Sequence, residues 1–216
     1  MKKLLTIALL GAAASLSYGQ GSVNFSAGAL PATRIWTNSV PGGPNTGSIS
    51  GAGNYYFALF VSPVSNGTNY SLSSSLDPTG AGFSLVNSPI GAYGTNTVLG
   101  RMNGNPTTDG TLVAGFAPGT SANFVVVGWS ANIAGPDWTA FRAWTQGGAV
   151  QGWAGHSSVA EAVQLGGGLI PQGTIFGGGA GQATGFGLTL PIPEPSTFAL
   201  AGLGAAALVI FRRRKA

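Results

Sequence analysis

The chain has 216 residues, 37 of them Gly and 13 Pro, with no Cys. That length suffices for one domain with a core, and the lack of Cys excludes disulfides, thiol catalysis and Cys-ligated metals. The formal charge of +4 sits at the ends: Lys2, Lys3, Arg212, Arg213, Arg214 and Lys215 supply six positive charges and Glu194 one negative, which leaves −1 for residues 20–190.

That interior holds Arg34, Arg101 and Arg142 against Asp77, Asp109, Asp137 and Glu161. Nucleic-acid binding needs clustered cations to neutralise phosphates, so this role is excluded. Aromatic residues make up 10% of the chain. They supply core anchors that disordered Gly/Pro-rich chains lack, and the composition therefore predicts a folded, loop-rich domain.

Met1-Lys2-Lys3 followed by the apolar stretch Leu4 to Ala14 has the form of a secretory signal peptide, because the stretch is too short for a membrane span. Small residues at Ser17 and Gly19 suit the signal-peptidase pocket. Residues 1–19 are accordingly read as the signal peptide, cleaved between Gly19 and Gln20.

Residues 20–190 are read as one exported, mainly β domain of sandwich-like architecture. Turn signals at Pro41-Gly42-Gly43-Pro44, Asn66-Gly67, Asp77-Pro78, Asn103-Gly104, Asp109-Gly110 and Gly147-Gly148 punctuate short apolar runs. The run Asn123 to Ser130 carries the β-branched and aromatic residues Phe124, Val125, Val126, Val127 and Trp129, which predicts a strand at the sheet centre buried on both faces. Tyr55 to Ser62 is a similar run. Weaker strands are expected at Val23 to Ala27, Phe83 to Val86, Thr97 to Arg101, Thr111 to Phe116 and Ala183 to Leu190.

Trp138, Phe141 and Trp144 recur at helical spacing, with Asp137 placed to cap the start and Gly147 to stop the end. A short helix on the sheet follows. Ser157 to Leu165 fits a strand through Val159, Val163 and Leu165 and a helical capping box through Ser158 and Glu161; the strand is preferred. The runs Gly166 to Gly168 and Gly177 to Gly179 read as flexible loops.

Ser196 to Phe211 is an uncharged apolar stretch of 16 residues. As a helix it would be about 24 Å long, slightly short of a bilayer core. Arg212, Arg213, Arg214 and Lys215 follow directly, and a basic cluster at a membrane helix stays cytoplasmic, so the preceding domain is expected outside. Pro193 and Pro195 hold Glu194 in an extended segment just before the span.

Pro193-Glu194-Pro195-Ser196-Thr197, the apolar stretch from Phe198 and the Arg212-Arg213-Arg214-Lys215 tail together resemble the PEP-CTERM sorting signal. The resemblance covers residues 191–216 and is specific, since three elements occur in the required order. It implies recognition by exosortase, a membrane enzyme that processes its substrates near the Pro-Glu-Pro and releases them to the cell surface or extracellular polymer. Leu-Pro-x-Thr-Gly is absent before the span, which disfavours sortase anchoring.

Catalytic constellations are thin. His156 is the sole histidine, and its neighbour Ser157 lacks a nucleophile elbow. Asp137 and Glu161 as paired carboxylates have cheaper explanations as a helix cap and a solvated strand residue. The glycine runs lack a Gly-Lys-Ser/Thr continuation, and no dense Asp run marks a calcium loop. No catalytic residue, metal site or cofactor is therefore assigned.

Trp36, Trp129, Trp138, Trp144 and Trp153, with Tyr55, Tyr56, Tyr70 and Tyr93, could stack on sugar rings, although core packing is the simpler reading of most of them. The chain thus reads as a non-enzymatic surface or matrix protein, with signal peptidase, exosortase and the membrane as partners and exopolysaccharide as a candidate partner. A displayed carbohydrate-binding module is the alternative reading, and an exported hydrolase the weaker one.

Overall fold

The computed structural model describes residues 19–28, 30–38, 47–66, 76–87, 91, 93–147 and 150–190. The centre is formed by β5 (Tyr55–Pro63) and β10 (Ser121–Ser130), antiparallel partners in unbroken register from Ala122 opposite Pro63 to Ser130 opposite Tyr55. Alternation sends Phe57, Leu59, Phe124 and Val126 to one face and Ala58, Phe60, Val125, Val127 and Trp129 to the other. Both faces are buried, as the continuous apolar runs predict.

Around this pair the large sheet takes in β2 (Ser26–Ala27), β3 (Trp36–Asn38), β4 (Gly47–Ser48), β6 (Ser84–Leu85), β7 (Tyr93–Asn96), β8 (Met102–Asn103), β11 (Ala154–His156), β12 (Ala160–Gln164) and β14 (Gly187–Thr189). The path runs β2-β8-β7-β5-β10-β11-β14-β3-β4, with β12 paired to β10 and β6 to β5. A second sheet, β13-β1-β9, consists of β1 (Gly21–Asn24), β9 (Thr111–Val113) and β13 (Gly173–Thr174). Its Val23 and Val113 enter the same cluster as Phe57 and Phe124.

The mainly β expectation holds, but the arrangement is a curled sheet rather than a plain sandwich. Ile35, at the entry of β3, donates its N–H to Gly100 O (3.1 Å), and Gly100 donates to Ile49 O, just after β4 (2.9 Å). Gly100 lies in the turn between β7 and β8, so these bonds join opposite ends of the strand path. Such closure shields polar sheet edges from stray pairing.

This seam corrects one expectation. Thr97 to Arg101 is a turn, with strands on either side of it. Gly100 adopts φ 71° and Arg101 donates its N–H to Val98 O (3.0 Å). The β-branched content of Thr97 and Val98 suggested extended backbone, and the tight turn overrides that propensity. The expected Val23 to Ala27 strand is split at Phe25 between the two sheets, and Thr111 to Phe116 stops at Val113 before Gly115, whose φ is 81°.

The helix α1 (Trp138–Thr145) forms where its spacing predicts, with the Asp137 carboxylate accepting from Thr139 N (2.8 Å) and Ala140 N (3.3 Å). Trp138 and Phe141 lie over Phe60 and Trp129, on the face of β5 and β10 opposite Phe57 and Phe124. Arg142 Nε meets Asp77 Oδ2 at 2.8 Å and ties the helix to the Pro78–Ala81 turn, a half-exposed pair worth well under about 1 kcal/mol.

Ser157 to Leu165 contains the strand β12, with an irregularity. Opposite the single residue Asn123 stand Glu161 and Ala162, a β-bulge in which Ala162 takes φ 50°. The Asn123 side chain accepts the Ala162 N–H at 2.8 Å, satisfying the donor that the bulge displaces. The glycine runs are hydrogen-bonded turns: Gly167 and Ile170 exchange backbone bonds, and Gly179 N–H is held by Gln182 Oε1.

Candidate functional site

The residues weighed for catalysis are held by local structure. His156 ends β11, half-buried, with Nδ1 2.9 Å from Ser157 O. The Ser157 hydroxyl accepts from Val126 N (3.0 Å) and donates to Ser158 O (2.7 Å). It fills the gap in the β10 ladder between the β11 and β12 pairings, where a backbone carbonyl would otherwise serve. Asp137 caps α1, and Glu161 is exposed on the bulged β12 with its N–H bonded to Gly181 O. Among the described residues, no three His, Asp or Glu gather into a metal-binding group.

The aromatic residues divide in two. Trp129 and Trp138 are core, with Trp129 Nε1 donating to Ala134 O (3.1 Å). Trp144 and Trp153 are half-buried against the two core clusters, and Trp144 Nε1 bonds Val150 O (2.7 Å). Trp36 lies under the Arg34 guanidinium, whose carbon is 5.2 Å from the ring centroid. Burial pushes the Tyr55 phenol up from its usual pKa. The Tyr93 phenol is raised too, by burial first and by the Asp137 charge, against a lowering hydrogen bond from Trp138 N–H.

A cleft of about 320 Å³ opens on the outer face of the second sheet. Ser22 of β1 and Leu112 of β9, direct cross-strand partners, form its floor. The turn 107–110, bearing Asp109, and the turn 167–170, bearing Ile170, form its walls. Gln172 ties the two walls through Nε2 to Thr108 O (3.0 Å), while its Oε1 is buried without a hydrogen-bond partner. The lining is amide, hydroxyl and aliphatic, with one carboxylate and no aromatic ring. It offers hydrogen bonds to a small polar ligand but no stacking platform.

Sequence reading did not assemble this cleft. Asp109-Gly110 and Gly166 to Gly168 are visible as turns, but they come together only through pairing of β1 with strands distant in the chain. Of the sorting and targeting residues, Gly19 and Gln20 are described: both are exposed and lead into β1. The expected signal stretch before Gly19, Pro193, Glu194, Pro195, the apolar stretch 196–211 and the basic residues Arg212 to Lys215 lie outside the described residues. Among the described residues, no helix is long and apolar enough to cross a membrane.

The described part defines a class: a mainly β domain built on a curled sheet with one short helix packed on it. Residues 191–215, directly after that domain, match the family model of the PEP-CTERM protein-sorting motif. The chain is thus a PEP-CTERM motif-bearing protein, exported and sorted to the surface by exosortase. No curated protein and no solved structure gives a significant match.

Proposed function

We propose that the protein is a non-enzymatic component of the cell surface or extracellular matrix, delivered by exosortase and retained in association with exopolysaccharide. The PEP-CTERM motif at 191–215 carries this reading. In it, residues 1–19 are removed by signal peptidase, 196–211 span the membrane with the basic tail in the cytoplasm, and cleavage near Pro193-Glu194-Pro195 frees the domain. The engagement of Ser157, Asn123 and Asp137 in structural hydrogen bonds supports a role without catalysis. The test is deletion of residues 193–216 in the producing cell, followed by fractionation. Loss of surface retention is expected; unchanged retention would overturn the proposal.

A second reading, display of a carbohydrate-binding module, draws on the cleft between the turns 107–110 and 167–170 and its hydrogen-bonding groups. Half-buried Trp36, Trp144 and Trp153 add aromatic surface elsewhere. A glycan array probed with the full chain decides this reading: binding that Asp109→Ala abolishes supports it, and absence of binding removes it.

A further inference from the structure

Exposed aliphatic side chains and two arginines meet at the seam that closes the curled sheet. Ile35 and Met102 point into the core; alternation about Ile35 turns Arg34 and Trp36 outward, both partly exposed, and Arg101, at the end of the turn before Met102, is exposed. The stem of Arg34 runs across Gly100: a Cβ on that glycine would stand 2.5 Å from Arg34 Cγ and 2.9 Å from Cδ. The two cationic residues therefore flank the turn that presents Val98, 53% exposed, and Leu99, 59% exposed. Leu30, 72% exposed, lies one turn before Arg34, and its carbonyl accepts the Arg34 N–H (2.9 Å).

We propose that this seam surface, built of Val98, Leu99, Arg34, Arg101 and Trp36, docks the domain on anionic phospholipid while the precursor is membrane-anchored. The inference rests on the reading of 196–211 as the membrane span. Leucine and valine beside arginine and tryptophan match the headgroup boundary, where aliphatic groups enter the acyl edge and guanidinium groups meet phosphate. An acidic polysaccharide would satisfy the arginines but leave the aliphatic side chains without a partner.

Charge and chain length agree with this occupant. Arg34, with its guanidinium over the Trp36 ring, and Arg101 both lie at the seam, while Arg142 lies on α1 beside Asp77. Asp109, Asp137 and Glu161 stand on other elements: the 107–110 turn, the α1 cap and β12. Trp36 is the direct β-partner of Gly187, nine residues before Ser196. Even fully extended, those residues reach about 30 Å, so the seam is leashed close to the bilayer. Docking would hold the domain in one orientation while the Pro-Glu-Pro is presented to the processing enzyme.

The absence of Cys allows a clean test. Full-length protein carrying Val98→Cys, Thr139→Cys or Ala206→Cys is labelled with an environment-sensitive fluorophore. Each is reconstituted in phosphatidylcholine vesicles with or without about one-third phosphatidylglycerol. The label at 98 should be quenched by a lipid-soluble quencher in anionic vesicles. R34Q with R101Q should lower the docked population roughly tenfold, and raised salt should do the same. The label at 139, on α1, should stay in water. Equal water exposure at 98 in both vesicle types, with the label at 206 lipid-protected, overturns docking and leaves the span intact. A label at 206 that remains in water overturns both. Protection at 98 by a soluble polyuronate but not by anionic vesicles makes the seam a glycan surface and also overturns the proposal.

Discussion

Trp129 and Phe141 stack with ring centroids 4.5 Å apart and planes inclined by 19°. This contact fastens α1 to the face of β10 that bears Val125, Val127 and Trp129. Trp138 completes the joint, meeting Phe60 edge-on at 4.6 Å and lying 5.4 Å from Phe141. A helix of eight residues cannot persist alone in water, so its existence depends on these rings.

Trp138→Ala should therefore destabilise the domain by about 3 kcal/mol, because it leaves a cavity against Phe60 and Trp129. Chemical denaturation followed by tryptophan fluorescence measures it. An unchanged midpoint would show that the ring contributes little to packing.

Asp137→Ala removes the side-chain acceptor for Thr139 N–H and Ala140 N–H. The cost should be about 1 kcal/mol, with Asp137→Asn or Asp137→Ser retaining most of the stability. Hydrogen exchange at the first turn of α1 should rise more than exchange in β10.

Gly128 lies opposite Phe57 at the sheet centre. A Cβ there would stand 2.6 Å and 2.7 Å from carbons of the Phe57 ring, with Leu188 Cδ2 at 3.1 Å. Gly128→Ala should cost roughly 1–3 kcal/mol by overpacking. Adding Phe57→Leu should recover part of that loss, and a double-mutant cycle would give a coupling of opposite sign to the single effects.

Tyr93 accepts the Trp138 N–H through its phenol oxygen at 2.9 Å, and its pKa is raised above the ordinary value of 10.0. The folded state thus holds the phenolic proton more tightly than the unfolded chain. Its contribution is fully present below the unfolded pKa and is lost as pH rises through the higher folded pKa. Stability should fall above about pH 10, and Tyr93→Phe should reduce that slope while costing about 1 kcal/mol at neutral pH.

Glu194 lies within the matched sorting motif, between two prolines. Glu194→Ala should leave membrane insertion unchanged, since the apolar stretch 196–211 and the basic tail are intact, while full-length precursor accumulates in the membrane fraction. Immunoblotting of fractionated cells reads this directly. Processed product at the wild-type rate would reduce the Pro-Glu-Pro to a linker.

By itself, the sequence determined what depends on local pattern. The centre of the sheet was legible because residues 57–61 and 124–127 are apolar at successive positions, which only burial on both faces accommodates. The helix was legible because its ring spacing and the Asp137 cap are set within nine residues. The sorting motif was legible because it is read as an extended peptide and an apolar stretch, not as a folded surface.

Tertiary structure alone decided which distant segments meet. Strands β3, β4, β11 and β13 are short and rich in Gly, Thr, Ser and Asn; their pairing comes from neighbours rather than from propensity. The Thr97 to Arg101 turn was misread for the same reason: β-branched residues favour strands only when a partner lies beside them, and here the chain must reverse. The Ala162 bulge, the cleft joined by Gln172 and Thr108, and the Arg34–Gly100 seam each join residues 39 to 66 positions apart. Short-range periodicity carries no signal at that separation, because the contacts follow from strand order and curl.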